Sequence, residues 1–253
     1  AGAAVIGGYL GSINLAFPWF VAAVMTGLGA VVLVTMEEPD TYQEVDSDSL
    51  GLRETFDIVR DAVSKPNIRS LILYYYVLYA AVTYLVFIFL QPIFETVVIS
   101  LGVPPGQVES LLGWFYAAYS LFGAFLSYYT GWIEDHVGIR TWFVLLPFVV
   151  GTALTAMYFV PILALPTFLV ARGLADVTRS FAGHYVNDRI ETLGRATVLS
   201  AMAMVSGLTV IPFQLGSGVI SDVVSPLFAL AIAGVVLVVG SGFILTWEIP
   251  VTE

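Results

Sequence analysis

Residues 166–195 read PTFLVARGLADVTRSFAGHYVNDRIETLGR. The stretch opens as an apolar run and then sets Arg172, Asp176 and Arg179 at intervals of four and three. On a helix these side chains share one stripe, continued by Gly183. A charge at the centre of a bilayer costs roughly 2.5–3.5 kcal/mol on insertion scales. Charges that persist there face protein or water, pair with one another, and mark pathways. The spacing predicts a helix over about 164–187 whose charged stripe has a purpose.

The composition supplies the membrane. The chain has 253 residues, 58% hydrophobic and 11% charged, with a mean hydropathy of +0.92. A soluble domain carries about 25% charged residues. One core could not bury this much apolar surface, so lipid is the expected solvent for most of it. There is no cysteine, which excludes disulfides and thiolate metal sites. Two isolated histidines make no metal cluster, and a net charge of −10 argues against nucleic-acid binding. No phosphate-binding loop, HExxH or GxSxG pattern occurs. Asp176, His184 and Asp188 are spaced by eight and four, which turns Asp176 away from His184. No enzyme and no cofactor are expected.

Apolar runs mark the spans. Residues 1–14 are too short to cross about 30 Å of hydrocarbon and read as the end of a helix, with Ala1, Ala4, Gly8 and Gly11 on a small-residue face. Ala1 opens inside this run with no charged leader, so a truncated chain is expected. Residues 16–36 form a full span stopped by Glu37, Glu38 and Pro39. Residues 37–49 hold six acids and no base and read as a solvated linker. In 51–64, Leu52, Phe56, Val59 and Val63 recur at helical spacing among charges, which predicts an amphipathic surface helix ended by Pro66. Six further spans follow, at 68–94, 108–131, 141–160, 164–187, 196–220 and 226–247.

The bases give these spans a direction. Arg53, Arg60, Lys65, Arg69, Arg140, Arg189 and Arg195 fall on links that alternate to one side, while the opposite links carry no Lys or Arg. The positive-inside rule makes the first set cytoplasmic, together with the C-terminal tail. The expectation is a multi-pass protein of the cell membrane.

Two spans also carry small faces: Gly113, Ala117, Ser120, Ala124, Ser127 and Gly131 on one, and Ala196, Ser200, Ala203, Gly207, Gln214 and Gly218 on the other. Small faces let helix backbones approach in lipid. They serve either packing within this bundle or contact with a partner bundle that slides against them.

The link Gly131-Trp132-Ile133-Glu134-Asp135-His136-Val137-Gly138-Ile139-Arg140 resembles the G-x-x-x-D-R-x-G-R/K loop of the major facilitator superfamily. Gly131, Asp135 and Gly138 match and Arg140 supplies a nearby base; His136 stands where the pattern has Arg or Lys. NDRIETLGRATVLS, with Arg189 and Arg195, resembles the cytoplasmic link before the family's eleventh helix, and Gly218-Val-Ile-Ser-Asp222 its G-x-x-x-D ending.

The order of elements, two spans, a long charged loop with a surface helix, then six spans, extends the likeness over the chain. The resemblance implies an all-α polytopic membrane protein. Residues 1–36 would be a remnant of an N-terminal bundle, 37–66 a cytoplasmic linker, and 67–253 a complete six-helix C-terminal bundle. It also implies secondary transport of a small molecule by alternating access, with a proton or sodium as possible coupling ion. The partners would be the lipid bilayer and the missing N-terminal half. A non-transporting sensor or scaffold derived from a transporter half is the alternative.

The resemblance places the stripe on a cavity-lining helix and the two small faces on helices that meet the other half. Arg172 and Asp176 are then candidates for substrate contact or coupling, or for a charge-paired network that holds or gates the bundle. Arg179, nearest the cytoplasm, is the gate candidate beside Gly131, Asp135, Gly138, Arg140, Arg189 and Arg195. Tyr76, Tyr79, Thr83, Phe87 and Gln91 share a face of the 68–94 helix, and either line the cavity or belong to an interfacial aromatic belt.

Overall fold

A computed structural model describes residues 2–36, 60, 64, 66–189 and 195–251. The protein is an all-α polytopic membrane protein. Among the described residues, seven helical stretches are long and apolar enough to cross a bilayer, and one shorter apolar helix precedes them. The predicted surface helix at 51–64 lies almost wholly outside the described residues.

The short helix is α1 (Gly2–Ile13) and the first full span is α2 (Phe17–Val34). The next rod runs without a break through α3 (Pro66–Leu71), a π-helical stretch (Ile72–Tyr79) and α4 (Ala80–Ser100). Then come α5 (Val108–Tyr128), α6 (Thr130–Val137), α7 (Ile139–Phe159), α8 (Ala164–Asn187), α9 (Arg195–Val223) and α10 (Pro226–Leu245).

Local chemistry sets the boundaries. Pro18 sits in the first turn of α2 and Pro226 in that of α10, where a missing N–H leaves no helix bond unmade. The Ser225 hydroxyl accepts from the Phe228 N–H at 3.1 Å and caps α10. Gly138, between α6 and α7, has φ of +77°, a conformation that suits glycine and penalises a Cβ.

Two boundaries differ from the sequence reading. The span expected to end at 94 continues to Ser100, because backbone groups in lipid must bond within their own helix; Val97 and Val98 are buried along it and the Thr96 hydroxyl donates to the Pro92 carbonyl at 2.8 Å. The link containing Gly131 and Asp135 is itself a helical turn pair, α6, anchored by buried Ile133.

The core lies in two stacked layers. One gathers Leu85, Leu90, Phe94, Leu154, Phe168 and Leu237; the other gathers Leu71, Tyr74, Phe143, Val177, Phe181 and Tyr185. Polar ties cross between helices in the second layer. The Tyr74 hydroxyl donates to the Phe143 carbonyl, and the Trp142 Nε1–H donates to the Thr178 hydroxyl at 3.0 Å. Arg69 pairs with Glu248, which brings the start of α3 and the chain end after α10 to the same side of the bundle.

Glycines make the closest crossings. A Cβ built on Gly151 of α7 would meet the Gly234 carbonyl oxygen of α10 at 2.6 Å, so the two backbones are in contact. Gly8 of α1 and Gly113 of α5 meet in the same way: a Cβ on Gly8 would lie 2.7 Å from the Gly113 Cα. The small face of α1 therefore covers the outer part of the small face of α5. By contrast, α2 buries nothing, and the most apolar stretch of α9 is almost wholly exposed, whereas more than half of the corresponding stretch of the rod from Ile68 to Ser100 is buried.

The α7–α10 crossing has no room for a side chain. Gly234→Val should cost about 1–3 kcal/mol or more through overpacking, read as a lower midpoint of thermal unfolding in detergent. Gly242→Val, with nothing within 4 Å of its Cβ position, should leave the midpoint nearly unchanged.

Candidate functional site

Helix α8 carries the charged stripe through the bundle. Asp176 lies about halfway along its 24 residues, with Arg172 one turn before and Arg179 about one turn after. The Arg172 Nε lies 3.2 Å from the Asp176 Oδ2. Arg precedes Asp in this pair, the less favourable order on an isolated helix, so intrinsic helix stability is a poor reason for it. Pairing answers a different need, which is to avoid an isolated charge in hydrocarbon.

The pair is seated on α5. A Cβ on Gly123 would fall 2.7 Å from the Asp176 Oδ2 and 3.6 Å from the Arg172 Cγ, so the missing side chain of Gly123 makes the space the carboxylate occupies. The Arg172 guanidinium lies 5.5 Å from the centre of the Tyr119 ring, within cation–π range. Next to it, Gly173 packs against Leu126 and Phe122 of α5. The Arg172 side chain remains 37% exposed and Asp176 only 19%. The carboxylate is therefore the inner partner and the guanidinium the outer one.

Arg172 opens onto a cleft of about 570 Å³ between the π stretch with α4, α8 and α9. Its walls include Tyr75, Tyr79, Thr83 and Phe87 from the first rod, Arg172 and Arg179 from α8, and Ser206, Gly207 and Gln214 from α9. The volume falls within the range of small-molecule sites. The Arg179 guanidinium approaches the Tyr75 hydroxyl. Tyr75 and Tyr79 stack with ring centres 5.9 Å apart.

Of the residues singled out from sequence, Tyr79, Thr83, Phe87, Arg172, Arg179, Ala203, Gly207 and Gln214 come together around this cleft. Asp176 lies behind it as the partner of Arg172, and Tyr76 is outside the lining, edge-on to Tyr75. Tyr75, Tyr119 and Gly123 escaped sequence reasoning. The sequence pattern puts Tyr76 on the helical face with Tyr79, whereas the lining residues Tyr75, Tyr79, Thr83 and Phe87 recur every fourth position. The π stretch, closed by the Ala80 N–H on the Tyr75 carbonyl, changes the phase that a regular helix would have. Tyr119 and Gly123 are four apart and lie off the small face identified on their helix; their signal was a glycine one turn from an aromatic residue on a second face.

Residues 1–187 match the family model of the Major Facilitator Superfamily. The chain belongs to the Major Facilitator Superfamily. No curated protein and no solved structure matches it. The superfamily match runs from α1 through the end of α8, and so includes the charged stripe and the Gly131–Arg140 link.

That link borders a second cleft of about 700 Å³ at the end of the bundle where Arg69 and Glu248 pair. Gly138, Arg140 and Arg189 line it, with Glu134 and Asp188 as the acids among them. Arg189 lies over the Tyr185 ring at 3.6 Å. Gly131 and Asp135 stand on α6 outside the lining, and Arg195 opens α9. His136, at the position where the superfamily loop carries a base, stacks on Trp132 with ring centres 4.4 Å apart.

The seat of the ion pair is testable through its size. Gly123→Ala asks only that the Asp176 carboxylate shift. Gly123→Leu should expel the pair and lower the midpoint of thermal unfolding by more than Asp176→Asn alone, because it also overfills the α5–α8 contact. Equal midpoints for Gly123→Leu and the parent protein would remove Gly123 from the account.

Proposed function

We propose that the protein is a secondary active transporter that moves a small molecule by alternating access. The observation that carries this reading is the cleft itself: a polar, charged space of about 570 Å³ halfway through an otherwise apolar bundle. A charged space of that kind costs stability in a membrane and is retained where something passes or binds. The superfamily is one of transporters, which supports the coarse assignment.

In this reading residues 67–253 form one six-helix bundle, and 1–36 belong to a second bundle that closes over it. Support comes from the open faces. Ser200, Ala203, Gly207 and Gln214 of α9 are exposed, as are Ser120, Ala124 and Ser127 of α5. These small, polar surfaces border the cleft side, where a second bundle would meet them. Arg69, Arg140 and Arg189 gather at one end, which the positive-inside rule makes cytoplasmic. The second cleft then acts as a cytoplasmic latch of oppositely charged groups. Asp176 and Arg172 form a network whose making and breaking accompanies the exchange between outward- and inward-facing states, coupled to a proton or sodium gradient.

Reconstitution in vesicles tests this. With a proton or sodium gradient imposed, the protein should accumulate a substrate drawn from a broad panel of labelled metabolites. Asp176→Asn should lower gradient-driven uptake by roughly tenfold or more, the effect of losing one hydrogen bond to a charged group. Normal coupling in that variant, with only reduced expression, would make the pair structural. No gradient-driven flux for any panel member would favour the sensor or scaffold role.

A further inference from the structure

We propose that the cleft between α4, α8 and α9 is an anion site, and that Arg179 is the residue that binds the anionic group of the substrate. This rests on the transport reading for its consequence, but the chemistry comes from the cleft.

Among the described residues, the cleft lining contains two guanidiniums, Arg172 and Arg179, and no carboxylate. This is unexpected in a chain with 19 acids and nine bases. Two of the nine bases have been drawn to one membrane cleft, and Asp176, the nearby acid among the described residues, stands behind it. Asp176 is committed to Arg172 at 3.2 Å. Among the described residues, Arg179 has no carboxylate within ion-pair distance. Its neighbour in the cleft is the Tyr75 hydroxyl, a dipole and not a counter-charge. Among the described residues the cleft therefore carries one positive charge without a paired carboxylate.

A guanidinium at this depth calls for water, backbone carbonyls or an anion beside it, and in an open cleft an anion is the partner that cancels its charge. Guanidinium offers a planar fork of donors that matches a carboxylate two bonds at a time. The surroundings define the rest of the ligand. Tyr75, Tyr79 and Phe87 present ring surfaces, and Thr83 and Gln214 add neutral polar groups. The site thus suits a small organic carboxylate with an apolar or aromatic body. It repels a cation, which would meet two like charges and no acid.

Arg179 then binds ligand and does not play the gate role that its position nearer the basic end favours. A gate residue would exchange partners with acids across a closing interface; a binding residue would set affinity for the ligand's charge.

The test uses matched probes on the purified protein in lipid nanodiscs: benzoate, benzamide and benzylamine, and hexanoate, hexanamide and hexylamine. Binding is read by thermal stabilisation and by titration calorimetry. The carboxylate of at least one set should bind best, and its affinity should fall as chloride is raised. Arg179→Gln should weaken the carboxylate by about tenfold or more while leaving the amide unchanged, and Arg179→Lys should recover part of the loss. The Lys variant and the amide controls show whether a failure reflects folding. Best binding by an amide or amine, no binding by any probe, or an equal loss of carboxylate and amide in Arg179→Gln would overturn the proposal. Carboxylate binding without gradient-driven flux would overturn transport and leave the anion site standing. Flux of a cationic substrate untouched by Arg179→Gln would do the reverse.

Discussion

In hydrocarbon, apolar side chains gain nothing by leaving lipid for a neighbouring helix, so the bundle depends on how closely its backbones can approach. This protein meets that constraint with pairs of glycines. Gly151 on α7 faces Gly234 on α10, and Gly8 on α1 faces Gly113 on α5, each too near for a Cβ. Close approach maximises dispersion contacts between whole helices and does not rely on shape-matched large side chains. It also leaves the larger residues free for layers. Tyr74, Phe143 and Phe181 fill one end, and Phe94, Phe168 and Leu237 fill the other.

The same device solves a second problem, that of charge. Gly123 on α5 does not bring another glycine close; it makes the space taken by the Asp176 carboxylate, and Tyr119 one turn away faces the Arg172 guanidinium. The absence of a side chain on one helix thus permits an ion pair on its neighbour. Packing and electrostatics are one design here. Helix α8 turns the carboxylate of its ion pair inward against α5, and it borders a cleft because Arg172 and Arg179 are turned outward.

Much of this was legible in the sequence, and the reasons are physical. Span number and order follow from hydropathy, because every backbone group in lipid must bond within its own helix. That is why α8 begins at Ala164 and ends at Asn187, as the apolar run and its polar flank require. The stripe was legible too, since i, i+4, i+7 spacing survives any tertiary context. The opposite wall was less so. Periodicity assigns faces on the assumption of a regular helix, and the π stretch at Ile72–Tyr79 breaks that assumption, so that Tyr75 lines the cleft and Tyr76 does not. Gly123 was invisible for another reason. A glycine that makes room for a partner's side chain has no pattern of its own until the partner is known. The helical continuation to Ser100 was hidden by Pro92, whose missing N–H costs little where the following turn buries Val97 and Val98.

The stripe on α8 is unbalanced by composition alone. It offers one carboxylate to two guanidiniums, spaced four before and three after, so whichever base Asp176 holds, the other is left over. In this structure Arg172 takes the carboxylate and Arg179 faces the cleft beside Tyr75. No rearrangement within α8 can remove the surplus; it can only move it by about two turns of helix. A positive charge that a helix cannot neutralise from its own sequence must be met from outside that helix. In the cleft walls the described residues supply hydroxyls and an amide but no acid. Among the described residues the imbalance therefore follows from the stripe itself, whichever base Asp176 holds, and it is the feature on which the anion-site proposal stands.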